Sequence, residues 1–191
     1  MILINGKERT VDKHSIGDKM NGFLLLIPFF LIRFGILGLL NKEALKRAAF
    51  FAPLVGGEKV AYWIYQISNM LILIDLFFLN VKTESFWFDA GLVIYGLGIL
   101  LCIASVLNFA RPAKNGINRN GLYKFSRNPM YLAYFIYFLG CALLTKSLLF
   151  LAILIVFQIS AHWIILSEER WCINKFGEEY KNYMNKVRRY I

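Results

Sequence analysis

Cysteine and histidine are scarce in this chain, and their scarcity removes several kinds of chemistry at once. Cys102, Cys141 and Cys172 are scattered and follow no metal-ligand spacing, so neither a disulfide framework nor a cysteine metal centre is expected. Two histidines, His14 and His162, exclude a histidine-based metal cluster. Internal repeats and low-complexity stretches are absent. The opening MILINGKERTVDKHSIGDKM lacks the basic, apolar and small-residue order of a cleaved secretion signal. Charge is sparse too: 18% of the 191 residues are charged and 58% are hydrophobic. That much apolar surface exceeds what one small soluble core buries. It falls in blocks of about 20 residues, the length that crosses a bilayer.

The polar and apolar segments alternate in an order that predicts an all-α, integral-membrane fold with five transmembrane helices in a single membrane domain, followed by an interfacial helical tail. The expected spans are 20–40, 60–79, 86–110, 129–144 and 148–167, with the tail at 168–191. Residues 1–20 are expected at the membrane surface. Arg33 is the one charge in the first span, which Pro28 is placed to kink. Asp75 in the second span is its expected partner, since an arginine side chain reaches across a small difference in depth. Such a pair would be structural. Gly91, Gly96 and Gly98 in the third span are read first as helix-packing glycines.

A net charge of +10 raises the question of nucleic acid, but the positive-inside rule accounts for it better. The segments 41–59, 111–127 and 168–191 carry fifteen lysines and arginines, against six on the other side. The tail is therefore expected in the cytoplasm, with an inner cell membrane as the location and no nucleic-acid partner.

The most informative stretch is Gly121-Leu-Tyr-Lys-Phe-Ser-Arg-Asn-Pro-Met-Tyr131, a basic loop running into an apolar segment. Pro129 suits the first helical position and Asn128 the N-cap, so a helix is expected to start there with its positive dipole end toward the loop. That end is suited to an anion. The pair Glu168-Glu169, at the mouth of the fifth span, is suited to an ammonium group. Together they would hold a zwitterionic amino-acid head. In the tail, Ile173, Phe176, Tyr180, Tyr183 and Val187 recur at three- and four-residue steps and make one apolar face. Gly177 is expected to divide the tail into two short helices, the first continuing the fifth span, and the tail to fold back as a lid over 111–127 or to anchor on the membrane surface.

The order Gly121-x-Tyr123-x-x-x-Arg127-Asn128-Pro129-x-Tyr131, then Glu168-Glu169, then Phe176-Gly177-Glu178-Glu179-Tyr180-x-x-Tyr183 resembles the isoprenylcysteine carboxyl methyltransferase family. The related phospholipid methyltransferases share much of it, including a Gly-x-Gly like Gly96-Leu97-Gly98. The resemblance covers roughly residues 86–191. It implies a membrane enzyme that uses S-adenosylmethionine without a soluble Rossmann domain. It also implies cofactor contacts at Asn108, Asn115, Gly116, Ile117, Asn118, Tyr123, Asn128, Pro129, Met130, Tyr131 and Glu168. The family more often has histidine at Asn128, and its substrate-holding arginine falls here on Ile164.

Arg127 and Glu169 are the expected catalytic pair, with Arg127 orienting a carboxylate by a two-point contact. His162 is either close to the substrate head group or satisfied by an interhelical hydrogen bond. A carboxylate nucleophile is already ionised at neutral pH and needs no general base. The expected acceptor is accordingly a carboxylate on a lipidated or apolar molecule, entering from the membrane lipids. N-methylation of a phospholipid and S-methylation of a small thiol are the alternatives. A non-catalytic transporter or channel subunit using Asp75 and His162 for protons is the alternative of another class.

Overall fold

A computed structural model describes residues 20–113 and 116–191 of the chain. The N-terminal segment expected at the membrane surface and the expected cofactor contact Asn115 lie outside the described residues. Among the described residues the fold is all-helical, with two isolated bridges and no strand.

The helices are α1 (Gly22–Leu40), α2 (Lys42–Ala48), α3 (Glu58–Phe78), α4 (Phe88–Phe109), α5 (Pro129–Thr145), α6 (Leu148–Phe176) and α7 (Glu178–Lys186). Helices α1, α3, α4 and α6 are long and apolar enough to cross a membrane. Side chains such as Trp63, Phe78, Phe86, Leu100 and Leu148 stand exposed on the surface, as lipid-facing residues do. The five-span expectation meets its limit at α5, which is apolar but only 17 residues long. At 1.5 Å per residue it covers about 25 Å. Its ends are set by the sequence: Pro129 occupies the first turn, and Lys146 is left-handed at φ 52°. Ser147 then caps α6, accepting from the Phe150 N–H at 3.1 Å.

Helix α6 carries the fifth span on into the tail, as expected. It runs without a break for 29 residues to Phe176, so Glu168 and Glu169 sit inside it. Gly177, at φ 55° and ψ −134°, adopts a conformation that L-residues rarely take, and there the chain turns into α7.

Helix α1 is irregular. It passes from 3₁₀ turns (Gly22–Leu26) through α to a π stretch over Leu31–Ile36, just past Pro28, and Arg33 stands in that stretch. Arg33 makes no ion pair with Asp75. Its Nη2 donates instead to the Ala48 carbonyl at 2.6 Å, and one Asp75 carboxylate oxygen is buried without a hydrogen-bond partner. The surface segment 41–48 turns back toward α1 and puts an accepting carbonyl closer to the guanidinium than the acid on α3.

Helices α4 and α5 form the closest pair. A Cβ on Gly98 would lie 2.5 Å from the Tyr137 Cα, and one on Gly140 would lie 2.5 Å from the Tyr95 Cα. Each helix thus buries a tyrosine over the other's glycine. The Tyr95 and Tyr137 hydroxyls then both reach the Leu25 carbonyl, locking α1 onto the pair. A Cβ on Gly96 would meet no atom within 4 Å, so of the Gly-x-Gly only Gly98 is needed for the close packing.

Gly98→Val should overpack this crossing and cost about 1–3 kcal/mol. Gly96→Ala, with open space around it, should leave stability unchanged. Thermal unfolding in detergent checks both, and equal midpoints for the two variants would contradict the packing account.

Candidate functional site

At one end of the bundle, beneath α2 and α7, lies a cavity of about 680 Å³. That size is usual for a small-molecule site. Its walls come from α1 (Arg33), α2 and the 48–52 loop, the end of α4 (Phe109), the loop Gly116-Ile117-Asn118 and Tyr123. The start of α5 (Asn128, Met130, Tyr131, Tyr134), the last turns of α6 and the tyrosines of α7 complete it. Eleven of the lining residues are tyrosine, tryptophan or phenylalanine, and eight are charged.

The first turn of α5 and the inner face of α6 meet there. The Tyr131 hydroxyl donates to Glu168 Oε1 at 3.0 Å, so residues 37 positions apart share one contact. Among the described residues this is the only hydrogen bond to the Glu168 carboxylate. The remaining lone pairs lie in the cavity wall, where a positively charged donor would satisfy them.

Glu169 points elsewhere. It is 4% exposed, and its carboxylate is gripped by two guanidinium groups. Arg127 donates from Nε at 3.0 Å and Nη2 at 2.7 Å, and Arg189 from Nη2 at 2.8 Å. Arg127 Nη1 then donates to the carbonyls of Met184 and Val187 at 3.1 and 2.7 Å. The guanidinium of Arg127 is therefore engaged on every side, although it borders the cavity.

Further bonds press the tail against the loop. The Arg127 N–H donates to the Arg188 carbonyl at 2.9 Å, and Arg119 pairs with Glu179 at 3.0 Å. The Tyr183 hydroxyl donates to the Tyr123 carbonyl at 2.7 Å, and burial pushes that hydroxyl up to about 12, so it keeps its proton. Ile117, Tyr180 and Tyr183 form a small apolar core with Phe176 and Val187 around it. The lid expectation for the tail is thus met in its packing.

The expected site residues divide in two. Gly116, Ile117, Asn118, Tyr123, Asn128, Met130, Tyr131, Glu168, Arg127 and Glu169 all border the cavity. Asn118 Oδ1 is buried there without a hydrogen-bond partner. Pro129, Asn108 and His162 do not border it. Pro129 opens α5 as expected. Asn108 lies under the loop: its Oδ1 accepts from the Leu122 N–H at 2.9 Å and would sit 2.0 Å from a Cβ on Gly121. Only glycine fits that turn, at φ 53°. His162 Nδ1 meets the hydroxyl of Tyr190, in the segment after α7, at 2.7 Å. Asn128 stands at the N-cap position, but its side chain caps nothing. Its amide donates to the Arg189 carbonyl at 3.2 Å.

Residues that sequence reasoning left out are Arg33, the α2 cations, Phe50, Phe51, Tyr65, Tyr134 and Arg189. Arg33 had a readable signal, being a lone charge in an apolar span, where such groups face a cavity or a partner. A second arginine clamp, unforeseen, joins Arg170 to Glu58 through two contacts of 2.6 Å and ties α6 to the start of α3.

Glu169→Gln should strand Arg127 in a buried site at a cost on the order of 3 kcal/mol, with less lost at the half-buried Arg189. Limited proteolysis should then cut within 178–191 faster while helix content by circular dichroism is kept. Unchanged protection of the tail would show that the clamp does not hold it.

Residues 90–179 match the family model described as phospholipid methyltransferase. Over 105 residues the chain is also 36% identical to a steroid 5-alpha-reductase, DET2, of Solanum lycopersicum; that stretch is 52% of this chain and 41% of the reductase. The chain thus spans about two fifths of the length of that relative. No solved structure matches it significantly. The matched segment supplies the larger share of the cavity wall, from Phe109 to Phe176. Taken with four long apolar helices, both comparisons point to an integral-membrane enzyme.

Proposed function

We propose that this chain is a five-span membrane methyltransferase that takes S-adenosylmethionine as donor and methylates a carboxylate on a lipidated or apolar acceptor, in the manner of the isoprenylcysteine carboxyl methyltransferases. The Tyr131–Glu168 contact in the wall of an aromatic cavity carries this reading. In it the whole chain is one membrane domain, α5 is the fourth span, and the cavity and tail face the cytoplasm, as the charge bias favours.

The residues present fit such a donor. Glu168 offers a desolvated carboxylate, fixed by Tyr131, to an ammonium group. The unpartnered Asn118 Oδ1 offers an acceptor for an amino group. Tyr123 and Phe176 offer flat faces for a purine. S-adenosylmethionine, when bound, supplies an electrophilic methyl group. The chain's own part is then to align the acceptor and exclude water. Arg127 and Glu169 act in this account as positioning residues. They neutralise each other, fasten the tail and so close the cavity's outer wall.

Two comparisons favour other readings of the same cavity. The description of the matching family model favours a phospholipid amine as acceptor, with Glu168 the carboxylate available to take its proton. The resemblance to a steroid reductase favours a reductase, in which the Tyr131 hydroxyl would deliver a proton.

Purified protein should bind S-adenosylhomocysteine. Glu168→Gln and Tyr131→Phe should each weaken it about tenfold or more, the usual scale of a charge-assisted hydrogen bond. Calorimetry checks this. Unchanged affinity in both variants would refute the donor site, and binding of NADPH in its place would favour the reductase. Incubation with labelled S-adenosylmethionine then separates the acceptors, because only an ester releases methanol in alkali.

A further inference from the structure

The donor site leaves one cation of the cavity wall unexplained. Arg33 stands in an apolar span, where an unpaired charge is costly. Its Nη2 is used by the Ala48 carbonyl, and its guanidinium lies 5.6 Å from the centre of the Tyr134 ring. Its Nη1 is buried and without a hydrogen-bond partner. So is the hydroxyl of Tyr134, a residue 8% exposed. Both residues border the cavity. Buried donors left empty are expensive, and two adjacent ones are most economically filled by a single acceptor. A guanidinium N–H can only donate, and a phenol beside it donates best to an anionic oxygen.

The other cations of the wall are engaged. Arg127 is held by Glu169, and Lys46 by Glu43 at 2.8 Å. Arg47 donates to the Phe109 carbonyl at 3.3 Å, and Lys175 lies 4.5 Å over the Trp171 ring. Among the described residues Glu168 makes no salt bridge with Arg33, so the cavity wall holds a carboxylate and a guanidinium that are not in direct contact. The neighbours on the Arg33 side are Phe50, Phe51, Ala52 and Tyr65, which are apolar or aromatic. They and Arg33 fall outside the segment 90–179 that matches the methyltransferase family. Ile164, where a substrate-holding arginine was looked for, is fully buried on α6.

We propose that Arg33, with the Tyr134 hydroxyl, is the anion-binding point of the acceptor site, and that the acceptor is an apolar molecule bearing an acidic group, a carboxylate or a phosphate. The inference rests on the methyltransferase reading, in which Tyr131, Glu168 and the loop 116–118 hold the donor and the wall around Arg33 and Tyr134 is left for the acceptor.

The test uses the full chain in neutral phosphatidylcholine nanodiscs. Octanoate, octyl phosphate and octanol are bound by equilibrium dialysis against empty nanodiscs, with and without S-adenosylhomocysteine. One or both acids should bind about tenfold more tightly than the alcohol. Arg33→Gln should bring that ratio close to one, and Arg33→Lys should keep part of it. Tyr134→Phe should lower it about threefold, with S-adenosylhomocysteine affinity within about twofold throughout. Whichever acid shows the preference names the group. A ratio near one in the unaltered protein would overturn the proposal, as would a ratio that survives Arg33→Gln. Loss of S-adenosylhomocysteine affinity in Arg33→Gln with the ratio intact would also overturn it and move Arg33 to the donor. Since the ratio is read without S-adenosylhomocysteine as well, failure of that ligand to bind would remove the methyltransferase reading alone and leave Arg33 decided by the acids.

Discussion

A carboxylate taken out of water must be surrounded by donors, and Glu169 meets that demand with Arg127 from the loop before α5 and Arg189 from the end of the chain. Three segments far apart in sequence are thereby held at one point. Because Arg127 also donates to the carbonyls of Met184 and Val187, the same guanidinium fixes the last turn of α7. The tail's aromatic face then has a place to pack, on Ile117 and under the Tyr123 carbonyl. The cavity's outer wall exists because this clamp exists.

Below the clamp the cavity is polar in a particular way. Neighbouring glutamates on α6 have opposite circumstances: Glu169 is saturated by two cations, whereas Glu168 has a tyrosine and nothing else among the described residues. The charge of Glu169 thus holds the architecture together, and that of Glu168 stands in the cavity wall. On the α1 side, Arg33 keeps an unfilled donor. A cavity with separate unfilled sites of each sign, lined with aromatic rings, suits two ligands of complementary chemistry better than one.

The sequence told a good deal of this, for identifiable reasons. Apolar blocks of membrane length place the long helices, and the three- and four-residue rhythm from Ile173 to Val187 places the tail's buried face. The motif around Tyr131 and the acidic pair at 168–169 come together because their helices are neighbours joined only by the turn at Lys146-Ser147. What was illegible depended on contacts that no periodicity encodes. Arg33 faces the cavity and not Asp75, since the π stretch after Pro28 shifts the register of α1 and the Ala48 carbonyl lies within reach. Asn108 supports the Gly121 turn, and Asn128 serves the tail in place of its own helix. The end of α6 was legible, because Gly177 is the first residue after the fifth span that readily leaves the helical conformation.

The central claim is that residues 116–131 and the stretch around Glu168 are two walls of one donor site. Hydrogen–deuterium exchange on the full chain, with and without S-adenosylhomocysteine, tests it most directly. The account predicts slower exchange in the loop and the α5 start, in the last turns of α6 and in α7 at the same ligand concentration, with α3 unaffected. Protection confined to one of these segments, or absent from all of them, would contradict it.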